Sequence, residues 1–199
     1  MVRRLSGGGA VYPDLDNVNF PFITRAGNLG AFDFASFCRP VVKALGTLGV
    51  TAEINGRNDM TIDGKKFSGN AQYCKRGRVM HHGTILYDSN LAVVGQALVV
   101  PKDKIESKGL KSVQSRVTNV KSHMQEDIPV ERFIEELRNA MFKENDLVAH
   151  DLTDKDFAAV AKLREEVYDT WDWNYGASPA YTIRKERRVE GCGKLEVFM

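Results

Sequence analysis

The chain has 199 residues, 43% of them hydrophobic and 27% charged, with a formal net charge of +2; that suits one domain with a small appendage and a core that needs no disulfide or structural metal, and gives no case for nucleic-acid binding. Its three cysteines, Cys38, Cys74 and Cys192, include no Cys-x-x-Cys pair, so a reducing compartment is expected. No apolar run approaches the ~20 residues of a membrane span, and the basic pair Arg3-Arg4 is not followed by the apolar stretch of a signal peptide, so a cytoplasmic protein is expected.

A glycine triplet, Gly7-Gly8-Gly9, comes first. Special-conformation glycines usually separate two ordered elements, and so little precedes this triplet that an upstream part is expected to be missing. Phe34, Phe37, Cys38, Val41, Val42, Leu45 and Leu48 recur at helical spacing and predict a helix over 33–48, with Asp33 as its N-cap and Gly46 and Gly49 near its C-terminus. A strand is predicted over 50–55. Two more, 59–62 and 66–73, flank the hairpin dipeptide Asp63-Gly64, and a fourth covers 78–87. Residues 91–100 are apolar without a period and fit strand or helix. Residues 101–118 carry Lys102, Lys104, Lys108 and Lys111 and read as a mobile basic loop or as a plain solvated linker. A helix over 129–144 starts with Pro129 in its first turn and turns Phe133, Leu137 and Met141 inward, with Phe142 at the margin. Thr153 and Asp156 open another, over 154–169, at capping-box spacing, with Phe157, Val160, Ala161, Leu163 and Val167 as its apolar face. An aromatic turn spans 171–179, and 194–199 reads as a strand without a partner.

Four segments hold residues suited to chemistry. In Arg3-Arg4-Leu5-Ser6-Gly7-Gly8-Gly9 the glycines let backbone N–H groups approach a ligand and an arginine can grip phosphate; a structural turn with surface arginines is the plainer reading. Asn58-Asp59 offers oxygen ligands to Mg²⁺, or makes a turn. Lys66 and Ser68 follow the hairpin and, by strand alternation, share a face; a lysine held in a cleft stabilises charge on a transferring phosphate, whereas Asp-Gly-Lys-Lys is also an ordinary exposed tip. His81 and His82 are adjacent in a strand and face opposite sides, so they cannot easily share one metal.

In order and spacing, RRLSGGGAVY (3–12), GRND (56–59), KKFSGNA (65–71), HHGT (81–84), SVQSRVTN (112–119) and WDWNYGASP (171–179) resemble the signature of the lipoate–protein ligase family, which shares a catalytic-domain superfamily with the biotin ligases. The resemblance implies an α/β (α+β) fold with a mixed, largely antiparallel sheet and flanking helices, and an enzyme that activates lipoate with ATP and Mg²⁺ and passes the lipoyl group to a lysine. It implies carrier partners: lipoyl domains of 2-oxoacid dehydrogenase complexes or the glycine cleavage H protein. It makes Lys66 the catalytic lysine, in contact with the lipoyl carbonyl and the α-phosphate, and Asp59 the Mg²⁺ contact. Arg4, Ser6, Gly7, Gly8, Gly9, Asn17, Asn58, Asp59, Ser68, His82, Gly83, Thr84, Arg116 and Asn119 become the ATP- and adenylate-binding set.

The chain departs from the family pattern in having Pro13 and Asp16 where the family has histidine and glycine. Family members also carry several dozen residues ahead of the arginine pair and a small C-terminal domain. The resemblance therefore implies that 1–180 is an N-terminally truncated catalytic domain and 181–199 the start of a truncated accessory domain. It also implies a sheet with open edges, and a chain that pairs with itself or with a partner supplying the missing segment. Two other functions compete. One is an ATP-independent lipoyl or octanoyl transferase, which would need an activated cysteine; the other is an inactive remnant that binds lipoate or a carrier.

Overall fold

The computed structural model describes residues 2–26, 33–56, 58–98, 116–143, 147–177, 184–189 and 193–198. Most of the predicted basic loop, Arg57, Cys192 and the last two residues of the aromatic turn motif lie outside the described residues. The chain divides into two compact units: Leu5–Val148, and Ala149–Met199 together with Met1–Arg4.

The larger unit is built on five strands: β1 (Asn17–Arg25), β2 (Glu53–Asn55), β3 (Asp59–Ile62), β4 (Lys65–Lys75) and β5 (Arg78–Leu86). They lie in the order β1-β5-β4-β3-β2 with every neighbouring pair antiparallel. An isolated bridge between Lys66 and Val117 runs parallel. Asp63 and Gly64 both take positive φ, 50° and 72°, the double left-handed turn that a two-residue hairpin favours. β1 has no counterpart in the sequence-based expectations, because Pro21 sits in its middle. Proline removes one ladder donor, which a strand tolerates at the edge of a sheet, and β1 is an edge strand.

Helix α1 (Phe34–Thr47) starts where expected, with the Asp33 carboxylate accepting from Ser36 N. It buries Cys38, Val41, Ala44 and Leu45 in one cluster with Val18, Met60, Ile62, Phe67 and Ile85 of the sheet. The ambiguous segment after β5 is a helix, α2 (Leu91–Ala97), capped by Asn90. Helix α3 (Val130–Met141) adds Phe133 and Leu137 to the core, with the Phe133 ring stacked on Tyr87 at 4.2 Å.

In the smaller unit, α4 (Asp154–Leu163) has the complete capping box between Thr153 and Asp156. Aspartate serves in place of glutamate because its shorter carboxylate still reaches Thr153 N, at 2.9 Å. The predicted apolar face is not buried, however: Phe157, Val160 and Leu163 are about half exposed, since amphipathic spacing supplies a stripe without supplying its cover. The last strand does have a partner, which corrects the expectation for 194–199. β6 (Arg184–Val189) and β7 (Gly193–Phe198) pair antiparallel. Lys194 bridges Glu186 at 2.7 Å and Glu196 at 2.9 Å, offsetting the repulsion of two glutamates set directly opposite. No helix among the described residues is long and apolar enough to cross a membrane.

Candidate active site

Strand alternation and the register divide the sheet into two faces. On β5, Val79, His81, Gly83 and Ile85 are buried, while Met80, His82, Thr84 and Leu86 are half-buried. His81 lies opposite Phe22 on one side and Gln72 on the other; Gly83 lies opposite Phe20 and Asn70. This is the face under α1, whose Phe37 ring stacks on His81 at 4.7 Å. The other face carries His82, Thr84, Asn19, Ala71 and Gly69, with Asp59 opposite Gly69.

Lys66 reaches that second face because of a bulge. Met60 pairs with Ser68 but Thr61 pairs with Lys66, so Phe67 is an extra residue on β4. A bulge interrupts alternation, and Phe67 and Ser68 are both buried. The Lys66 side chain folds over Gly69, where a Cβ would lie 2.9 Å from Nζ, and its Nζ sits 2.7 Å from Asp59 Oδ1. The expectation that Lys66 and Ser68 share a face is thus corrected. Ser68 lies behind the sheet with Asn70, whose Nδ2 donates to its Oγ at 3.4 Å, and Gly83 is on that covered face too.

The other expected residues surround the Lys66–Asp59 pair or stand apart from it. Ser6 Oγ lies 2.5 Å from His82 Nε2, which joins the glycine loop to the open face. Among the described residues, a Cβ on Gly7 or Gly9 would meet nothing within 4 Å, and such room is what close backbone approach to a ligand requires. Gly8 has φ of 104°. Thr118 N donates to Lys66 O at 3.0 Å, so the segment from Arg116 to Asn119 flanks the lysine. Asn119 Nδ2 donates to Ser89 O at 2.9 Å. Among the described residues, Arg116 Nε, Asn119 Oδ1 and Asn17 Oδ1 are buried without a hydrogen-bond partner, as are Thr61 Oγ1 and Gln72 Oε1; a ligand is one partner that can satisfy such atoms. Asn58 braces β4 instead of pointing outward: its Nδ2 donates to Asn70 O at 2.9 Å. Arg4 belongs to the smaller unit. There the aromatic turn grips its neighbour: Asn174 Oδ1 accepts from Arg3 N at 2.9 Å and Trp173 Nε1 donates to Arg3 O at 2.8 Å.

The donor set bears on metal and on cysteine chemistry. Among the described residues no group of three or more His, Cys, Asp or Glu could hold a metal ion. The Asp59 carboxylate, paired with Lys66 through Oδ1, is thus no part of a protein cage, and it would suit Mg²⁺ that draws most of its ligands from phosphate and water. Burial pushes the Cys38 thiol up to about 11, which keeps it protonated and inert. Cys74 is exposed.

Sheet, helical cover and an open front that carries a lysine–carboxylate pair and meets the glycine loop at His82 define an α+β domain with its charged pair on one face. The chain belongs to the family of the lipoyl protein ligase A/B catalytic domain, whose model matches residues 1–142. It is 46% identical to lipoate-protein ligase LplJ of Bacillus subtilis, over all of this chain and 61% of that protein. It is 42% identical to lipoate–protein ligase 1 of Staphylococcus aureus, over 96% of this chain and 58% of the relative. The chain thus spans about three fifths of the length of these curated relatives. Among solved structures, it resembles the bi-partite lipoate protein ligase of Thermoplasma acidophilum, studied with its E2 lipoyl domain (TM-score 0.72, 30% identity, 92% of this chain and 72% of that one). It also resembles lipoate-protein ligase A bound with ATP (TM-score 0.65, 26% identity, 89% and 72%).

Proposed function

We propose that this chain supplies the catalytic domain of an ATP-dependent lipoate–protein ligase. The observation that carries the reading is the placement of Lys66 Nζ on the open face, 2.7 Å from Asp59, beside the segment from Arg116 to Asn119 with its orphaned polar atoms. In the first step a lipoate carboxylate oxygen attacks the α-phosphorus of ATP, and the bond to pyrophosphate breaks. In the second the amine of a carrier lysine attacks the acyl carbon and AMP leaves. Neither step needs a nucleophile from the protein; both need positioning and a cation where negative charge develops. Lys66 supplies that cation, the glycine loop and Asn119 close on the adenylate, and Asp59 would hold Mg²⁺, which would neutralise phosphate charge. The carriers are lipoyl domains of 2-oxoacid dehydrogenase complexes or the glycine cleavage H protein, and the setting is cytoplasmic. The inert Cys38 weighs against a transferase that works through a thiolate at that position.

Lipoate-dependent exchange of labelled pyrophosphate into ATP, with Mg²⁺ and the purified chain, tests the reading. Exchange supports it. Folded protein that shows none, yet still binds lipoate or nucleotide, replaces it with a binding module.

A further inference from the structure

Behind the sheet runs a chain of buried polar groups that the chemistry above does not use. Gln72 Nε2 donates to Asp33 O and to His81 Nδ1, each at 3.1 Å. With Nδ1 accepting, the neutral ring carries its proton on Nε2 and donates it to Asn70 Oδ1 at 3.3 Å. Asn70 Nδ2 in turn donates to Asn58 O at 3.1 Å, a second bond to a carbonyl that already accepts from Asn70 N at 2.9 Å, and Asn58 Nδ2 returns a bond to Asn70 O at 2.9 Å. Each group dictates the orientation of the next: turning the Asn70 amide over would set its NH₂ against the His81 N–H and its oxygen against the Asn58 carbonyl.

The surroundings hold the imidazole in place. His81 has no exposed surface. Its ring lies against Phe37 at 4.7 Å, Phe34 at 5.8 Å and Phe20 and Phe22 at 6.3 Å. Gly83 leaves room for the relay, because a Cβ there would overlap Asn70 Oδ1. The relay ends at Asn58, the residue before β3, and the first residue of β3 is Asp59, the partner of Lys66.

We infer that His81 is a positioning residue for the ligase site: through Asn70 it fixes the Asn58 carbonyl from the covered face and so sets where Asp59 meets Lys66 on the open face. The inference rests on the proposed function and adds a residue that touches neither substrate. Burial, seconded by the neighbouring His82, lowers the His81 pKa to about 4, which keeps the ring in the neutral form the relay needs.

The test compares His81→Phe, which keeps a ring in the aromatic box but removes both hydrogen bonds, with His81→Gln, whose amide can replace the Nε2–H donor. In pyrophosphate exchange, H81F is expected to raise the KM for ATP with Mg²⁺ by about tenfold, the scale of one buried hydrogen bond, leaving the KM for lipoate unchanged; H81Q is expected to recover most of the loss. An unchanged KM for ATP in folded H81F, an equal rise for both substrates, or H81Q no better than H81F overturns the inference. If H81F does not fold, Asn70→Asp serves in its place, since it keeps the acceptor for His81 and removes the side-chain donor to Asn58, leaving only the backbone bond from Asn70 N at 2.9 Å. A wild-type chain without exchange overturns the proposed function alone. The relay then stands or falls on hydrogen exchange at the Asn70 amide, which is expected to be faster in H81F and restored in H81Q.

Discussion

His81 and His82 are neighbours on β5 and meet opposite chemistries. His81 is sealed among four phenylalanine rings on the face under α1, its protonation suppressed and both nitrogens engaged. His82 lies half-buried on the other face, where its Nε2 meets the glycine loop at Ser6. The same division runs through the sheet: Ser68, Asn70, Gln72 and Gly83 on the covered face, and Lys66, Asp59, Gly69 and Thr84 on the open one. One face holds geometry by burial and hydrogen bonding, and the other presents charge. Substitutions on the open face should therefore change activity with little loss of stability, and those on the covered face should cost stability and reach activity only through the relay.

The largest effect is expected at Lys66. Lys66→Ala removes the cation on the open face and should lower lipoate-dependent pyrophosphate exchange by about 10²–10³ without shifting the urea unfolding midpoint; near-normal exchange would remove Lys66 from its role. Acidification should strike the covered face instead. An unfolded His81 takes up its proton near pH 6.5, while the folded one resists until about pH 4. The unfolded state thus binds more protons between those values, and stability falls as pH drops through that window, by up to about 3 kcal/mol. Urea unfolding at pH 7.5 and 4.5 should show the loss, and H81F should flatten it.

Two glycine substitutions sharpen the contrast. On the covered face, Gly83→Ala sets a Cβ 2.5 Å from Phe20 Cζ and into Asn70 Oδ1, and should cost about 1–3 kcal/mol of stability. On the open face, Gly69→Ala meets only the flexible end of Lys66. It should stay within about 0.5 kcal/mol of wild type while displacing the lysine from Asp59 and lowering exchange. Equal stability losses in the two variants would erase the distinction between faces. The smallest effect belongs to Cys74→Ala, which should leave exchange unchanged because the proposed chemistry uses no thiol; a large loss would revive a thiolate mechanism.

Much of the larger unit is legible in the amino-acid sequence. The 33–48 periodicity, the Asp33 cap, the Asp63-Gly64 turn and the apolar stripe of 129–144 are local signals, and each fixes its element through a few neighbouring residues. β1 and β6 escaped for reasons just as local. Pro21 reads as a strand breaker unless the strand is known to lie at an edge, and the charges of 184–188 carry no alternation, so that strand is held by cross-strand ion pairs that no single strand reveals. The α4 stripe shows the converse, since its cap and spacing were correct and its burial was not.

The site divides along the same line. The sequence by itself determined the family, the chemistry-bearing residue types and the order in which they occur, because motif spacing survives in one dimension. Only the tertiary structure decided which of those residues meet. A single bulge residue, Phe67, turns Lys66 away from Ser68 and toward Asp59. Cross-strand register, set by the hairpin turns, makes His81, Gln72 and Asn70 a buried relay. Alternation along a strand has a period of two, so one inserted residue reverses every face assignment beyond it, and register comes from pairing between strands, which no local stretch of sequence contains.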